Sequence, residues 1–257
     1  MLEAQGLFMG NRLINLSAAL RPGEVTAICG PNGAGKSTLL GCLAGLYRCS
    51  AGVVRLDGAP LTTLPPRIRA RALGYLPQSP EVAWDVTVEV LVGLGRLPWQ
   101  VAPLHRSHTT PAQDTVVVED AIAAMDLAAL RHRTVSRLSG GERARALVAR
   151  VLAGQPRWLL ADEPLANLDL GHAATLVARL KQQAAAGVGV VLVLHDLATA
   201  MNHADRVLVI DRGALVADGP PATALAEATI ARVWGVTARW LGDRSEMALS
   251  LNRRGRA

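Results

Sequence analysis

The sequence predicts an α/β protein, a parallel sheet with helices on its faces and a phosphate-holding loop at one strand end. Three observations predict it. Gly30-Pro31-Asn32-Gly33-Ala34-Gly35-Lys36-Ser37-Thr38 fits the pattern G-x-x-x-x-G-K-[ST] without a mismatch. Short apolar runs alternate with helix signals along the chain. A helical, Ala-rich interval from Thr87 to about Leu130 is set between two such groups of runs.

Each element has its own warrant, in order. Leu2 to Leu20 reads as a β-rich piece, closed by the turn Arg21-Pro22-Gly23. Val25-Thr26-Ala27-Ile28-Cys29 is apolar and reads as a buried strand; Ser37 to Gly45 reads as the helix after the loop. A strand, a glycine turn and a helix N-terminus make a phosphate cradle, because backbone N–H groups point inward and the helix dipole favours an anion. Lys36 supplies a point charge for the β/γ-phosphates and Ser37 a hydroxyl for Mg²⁺. A chance glycine-rich turn is the competing reading, and the flanking strand and helix weigh against it. Gly52 to Gly58 reads as a strand closed by a turn, Arg67 to Arg71 as a basic helix, and Leu73 to Pro77 as a strand ending at Gln78. A loop rich in Pro, His and Thr, Pro103 to Pro111, interrupts the helical interval. Strand-like runs resume at Trp158–Ala161, Val188–Leu194 and Val207–Ile210. Ligands of parallel sheets bind at the carboxyl ends of strands. The glycine loop, Asp162-Glu163 and His195 all fall at such ends.

Composition bounds the function. The 257 residues suit one large domain, or a core with an inserted subdomain, and half of them are hydrophobic. No apolar run approaches the ~20 residues that span a bilayer. The N-terminus lacks a basic-then-apolar signal pattern, so a cytosolic chain is expected. Cys29, Cys42 and Cys49 are odd in number and lack metal-ligand spacing. They read as small packing residues rather than a disulfide framework. A net charge of +6 leaves nucleic acid, an anionic membrane surface and a solvated basic face open, and part of it is the tail Asn252 to Arg256, expected to fray. Aromatics are only 3%, too few for a base-stacking platform, so no nucleic-acid partner is expected.

Four further stretches carry chemistry. Arg157 to Glu163 is an apolar run ending in two acids, which could also be a plain solvated cap. Leu138-Ser139-Gly140-Gly141-Glu142 opens the helix Glu142 to Leu152 and makes a second helix N-terminus suited to phosphate; alone it is an ordinary N-cap. Gln78 and His195 each follow a strand, where a lone polar residue is usually structural.

Taken together, in this order, these stretches resemble the ATPase subunits of ABC transporters over about Leu2 to Trp240. The resemblance implies a P-loop NTPase fold: a RecA-like parallel sheet with an antiparallel β-subdomain (about 1–78 and 156–240), an inserted α-helical signature subdomain (about 79–155) and a tail (241–257). Asp162 matches the Walker B aspartate that holds Mg²⁺, and Glu163 the residue that polarises the attacking water. Ser139, Gly140, Gly141 and Glu142 match the signature turn that binds ATP. Gln78 matches the Q-loop glutamine, a ligand of Mg²⁺ and water. His195 matches the switch histidine, and Leu168-Asp169 the D-loop. The resemblance implies a head-to-tail homodimer, each ATP lying between the P-loop of one copy and the signature turn of the other, and a monomer that hydrolyses ATP poorly. Departures are mild: Glu142 and Ala144 replace commoner Gln residues, and Ala161 a larger aliphatic. For the adenine-stacking aromatic, Phe8 is the best candidate, with a core role as its alternative.

Val88 to Trp99, with Gly95-Arg96-Leu97-Pro98-Trp99, resembles a stretch of ATPases serving iron–siderophore, haem and vitamin B12 importers. Val233-Trp234-Gly235-Val236 is similar to the same group. A plain helix stop explains Gly95 to Pro98 equally simply. The resemblance implies a peripheral subunit on the cytoplasmic face of a bacterial inner membrane. Its partners would be an integral-membrane permease dimer, met by residues after Gln78 such as Arg96 and Trp99, and indirectly a periplasmic substrate-binding protein. Another cargo class, export, or a soluble ABC protein without transport are the alternatives.

Overall fold

The computed structural model describes residues 1–79, 82, 85–100, 110–243 and 246–252. Most of the loop expected at Pro103 to Pro111, and the tail from Arg253, lie outside the described residues.

β1 (Leu2–Met9) and β2 (Leu13–Leu20) pair antiparallel as a hairpin. β3 (Val25–Cys29) follows and leads through the glycine loop into α1 (Lys36–Leu43). β4 (Ala51–Leu56) joins β1, and β5 (Ala59–Pro60) extends that sheet. α2 (Pro66–Ala72) starts on Pro66 in its first turn and runs directly into β6 (Leu73–Leu76).

Among the described residues, three α-helices lie between β6 and the next strand. These are α3 (Val88–Gly93), capped by Thr87, α4 (Pro111–Ala124) and α5 (Gly140–Ala153). α4 carries a capping box, in which Thr110 Oγ1 accepts from the Gln113 N–H and the Gln113 side chain accepts from the Thr110 N–H. Both α3 and α4 pack on α5. The chain then alternates through β7 (Trp158–Asp162), α6 (Leu170–Ala185), β8 (Gly189–Val193), α7 (Leu197–His203) and β9 (Arg206–Asp211). β10 (Ala214–Gly219), α8 (Pro221–Ala224) and α9 (Glu227–Trp234) come next, then β11 (Thr237–Asp243) and β12 (Glu246–Asn252).

The second sheet has the order β10-β9-β3-β8-β7-β6. β9, β3, β8, β7 and β6 are parallel, and β10 turns back antiparallel at the edge. Its strands read as unbroken apolar runs because both faces are covered. Alternate residues divide between two cores: Val190 and Leu192 face the helical side, while Val191 and Val193 face α1 and the antiparallel sheet. β7 divides likewise, with Leu159 and Ala161 on one side and Trp158 and Leu160 on the other. Among the described residues, no helix is long and apolar enough to cross a membrane.

The sequence reading missed β10, β11 and β12. β11 and β12 form an antiparallel hairpin from the Thr237–Asn252 pair to the Asp243–Glu246 pair. The range expected as a tail, 241–257, therefore holds a strand. Trp240 and Leu249, opposite one another, turn toward the main core, and the Trp240 indole N–H donates to the Leu225 carbonyl at 2.8 Å. Polar and apolar residues alternate from Thr237 to Trp240, a period-two signal that was present but short.

Candidate active site

The carboxyl ends of β3, β6, β7 and β8 meet at one edge of the parallel sheet. They bring Gly30–Thr38, Gln78, Asp162-Glu163 and His195 together. A depression of about 740 Å³ is lined by Asn32 to Thr38, Gln78, Glu163, His195 and Arg12. Lys36 is buried, and its Nζ donates to the carbonyls of Gly30 at 2.8 Å and Pro31 at 2.9 Å. Burial pushes the Lys36 ammonium below its usual range, with Glu163 and Asp162 acting in opposition.

Gly35 caps α1 in the left-handed region at φ 106°, and a Cβ there would overlap the Arg12 carbonyl. Gly35→Ala is expected to cost roughly 2 kcal/mol, a fall in Tm of about 4–8 °C measurable by calorimetry.

Ser37 Oγ donates to Asp162 Oδ1 at 3.0 Å, so two hard oxygen donors converge beside the phosphate loop. Asp162 is 4% exposed. Burial raises its carboxyl above the ordinary Asp range, and the Ser37 hydrogen bond offsets that only in part. A carboxyl whose folded pKa is raised adds stability at low pH and loses it as pH rises through the folded value. Without nucleotide or metal, Asp162→Asn is therefore expected to raise Tm near pH 7. Below the ordinary Asp pKa of about 4, the difference from wild type should vanish.

Glu163 sits in the left-handed region at φ 51°, an uncommon conformation for a non-glycine residue. Such strain, of order 1–3 kcal/mol, concentrates at functional sites. It follows directly on the β7 end and turns the carboxylate toward both neighbours. Gln78 Nε2 donates to Glu163 Oε2 at 2.8 Å, and His195 Nε2 lies against Oε1.

A family model described as ABC transporter matches residues 13–166. The hemin import ATP-binding protein HmuV of Nocardia farcinica is 43% identical over 242 residues, which cover 91% of this chain and 82% of that protein. HmuV of Myxococcus xanthus is 41% identical over 249 residues, 91% of this chain and 90% of that protein. The chain belongs to the ABC transporter family. As an ABC ATPase it binds and hydrolyses ATP. An ABC transporter provisionally assigned to the metal-chelate type, solved in an inward-facing conformation, shares the fold with a TM-score of 0.83 at 22% identity over 98% of both chains.

None of Ser139, Gly140, Gly141 or Glu142, expected as the signature turn, lines the P-loop depression of this ABC ATPase; Gly140 shares an adjoining cavity of about 480 Å³ with Gln78, Asp162 and Glu163. Ser139 caps α5: its Oγ accepts from the Glu142 N–H, and its own N–H donates to Glu142 Oε2 at 2.8 Å. That bond, first of all, holds the Glu142 carboxyl below its usual range. Glu142 closes the capping box as a Gln would, so the departure at this position is structurally neutral. Asp169 caps α6 by accepting from the His172 N–H at 2.8 Å. A Cβ on Gly141 would overlap the His172 ring, so the signature turn and the start of α6 are packed together.

Two expectations need correction in the ABC ATPase. Phe8 is 38% exposed on β1, so it does not take the core position, and it is not among the residues lining the depression. The β1–β2 turn, not the strand, abuts the P-loop, and this brings in Arg12, a residue the sequence reading missed. Arg96 is 1% exposed and cannot present its charge to a permease. It pairs with Asp114 at 2.8 Å, donates to the Ala153 carbonyl and Gln155, and lies against the Trp99 ring. Gly95 beside it touches α5 so closely that a Cβ would overlap the Arg150 carbonyl. The Gly-Arg-x-Pro-Trp stretch thus docks onto the helix that carries the signature turn. The Trp99 indole N–H donates to the Gly154 carbonyl, and its ring also takes the Arg71 guanidinium at 4.5 Å. Trp99→Ala is expected to lower Tm by several degrees through loss of these contacts, read by thermal melting.

Proposed function

We propose that this ABC ATPase powers import of haem or a related iron chelate through a separate membrane permease. The relatives at 43% and 41% identity are both named hemin import ATP-binding proteins, and that likeness carries the reading. The stretch Gly95 to Trp99 supports the broader siderophore, haem and B12 class. Deleting the gene should abolish growth on haemin as sole iron source, and the intact gene should restore it. Growth on haemin that survives deletion while growth on a ferric siderophore fails would move the cargo to the other chelate.

The chemistry of one half-site follows from the residues around the depression. Lys36 and the N–H groups of Gly33 to Thr38 bind the β- and γ-phosphates at the α1 N-terminus. Ser37 and Asp162 suit Mg²⁺, which keeps most of its ligands as phosphate and water and needs one or two protein oxygens. The Ser37–Asp162 hydrogen bond supports that assignment. Bound there, the ion neutralises charge developing on the phosphates. Glu163 Oε2 accepts from Gln78, and His195 Nε2 lies against Oε1. To orient a water in line with the γ-phosphate, Glu163 exchanges one of these contacts for the water. Gln78 and His195 then hold Glu163 and the phosphate in register.

The ATP site needs a second copy. The separation of Ser139 and Gly141 from the P-loop depression supports a head-to-tail homodimer, in which each signature turn caps the partner's ATP. The chain then acts at the cytoplasmic face of the bacterial inner membrane as a peripheral subunit. The helices of about 79–155 face the permease, and a periplasmic binding protein delivers cargo from the far side.

A further inference from the structure

Three sulfur atoms converge at the far end of the P-loop helix. Cys49 Sγ lies 3.2 Å from Cys42 Sγ, and Cys42 Sγ lies 3.9 Å from Met9 Sδ. The chain makes this meeting by folding back on α1. The Gly45 N–H donates to the Cys42 carbonyl, and the N–H groups of Leu46 and Tyr47 both donate to the Gly41 carbonyl. The Tyr47 ring lies so close to Gly41 that a Cβ there would overlap it. Ser50 then ties the end of the return to the Phe8 carbonyl. Neither thiol serves the ATP site, and Cys42 is only six residues, about 9 Å, along the helix from Lys36.

The two thiols differ in access. Cys42 is 1% exposed, whereas Cys49 is half-buried. Burial, and next the Cys49 hydrogen bond, pushes the Cys42 thiol up to about 12. Both cysteines line a cavity of about 410 Å³ that also carries Arg48 and Arg69. Cationic walls favour an anionic reagent.

We propose that Cys42 and Cys49 form an oxidisable dithiol that closes to an intramolecular disulfide when a small anionic disulfide enters this cavity. The Cys49 thiolate attacks one sulfur of the reagent; a Cys49–reagent bond forms and one small thiolate leaves. Cys42 then loses its proton and attacks Cys49 Sγ. The Cys42–Cys49 bond forms, and the second small thiolate leaves and takes up that proton. Two electrons pass from the pair to the reagent, which ends as two thiols. The product fastens the return segment to the C-terminal turn of the phosphate-binding helix. Cys29, wholly buried in β3 and pushed up to about 12 chiefly by burial, stays out of the exchange.

The test uses the folded full chain with oxidised glutathione, followed by intact mass and peptide mapping without reductant. The expected product is lighter by two hydrogens and yields one linked peptide pair joining Cys42 to Cys49, reversed by dithiothreitol. Cys42→Ser should stop at the mixed disulfide on Cys49. In the unmodified reduced chain, iodoacetamide should alkylate Cys49 well before Cys42, which checks the order of attack without any variant. A wild-type chain that stops at a stable mixed disulfide, links through Cys29, or remains unreacted until it is unfolded would overturn the proposal.

Discussion

Glu163→Gln is expected to lower ATP turnover by about 10²–10⁴-fold, the usual worth of a positioned general base. The amide keeps the size of the side chain and its hydrogen bond from Gln78, so ATP affinity should change little. Loss of kcat with retained binding is the mark of an interaction made in the transition state. The structure gives the change a definite target. Glu163 is the carboxylate at the β7 end that both Gln78 and His195 touch, in a backbone conformation that aims it at the phosphate loop. Phosphate release by the purified permease complex is the measurement. Turnover within twofold of wild type would remove Glu163 from the mechanism. His195→Ala should reduce turnover less, because it removes a partner of Glu163 and leaves the carboxylate.

Arg96→Met is expected to destabilise the chain by roughly 3 kcal/mol or more, since breaking one side of a buried ion pair costs about 3–5 kcal/mol. For a chain of this size that is a fall in Tm of about 6–12 °C. Asp114 loses its 2.8 Å partner, and the Ala153 carbonyl and Gln155 lose a donor they share. Arg96→Lys should recover only part, because an ammonium cannot reproduce the planar fork that reaches three acceptors. A permease-contact role makes the opposite forecast. Were Arg96 a surface contact, the isolated chain would melt unchanged and only assembly would suffer.

The P-loop, both acids, Gln78, the signature turn and His195 were legible because each is a local signal at a strand end or a helix start. Their convergence was legible only through the resemblance, since the order β10-β9-β3-β8-β7-β6 joins strands far apart in sequence. Arg96 misled because a charged residue near a helix end looks like surface. Its burial depends on Asp114 and on α5, which sequence spacing does not bring to it. Arg12 was missed because it sits in a turn with no pattern of its own, and only the close approach of Gly35 fixes it beside the phosphates. The β11–β12 hairpin was missed because its alternation is short and its inward face rests mainly on Ala238, Trp240 and Leu249.

The half-site is the central claim, and the mass of Glu163→Gln in solution tests it most directly. Light scattering behind size exclusion should give a monomer without nucleotide, twice that mass with ATP and Mg²⁺, and a monomer again with ADP. Adding Ser139→Arg to the same chain should keep ATP binding but abolish the doubling. A chain that binds ATP to saturation and stays monomeric, or that dimerises equally with Ser139 replaced, would contradict a site shared between P-loop and signature turn.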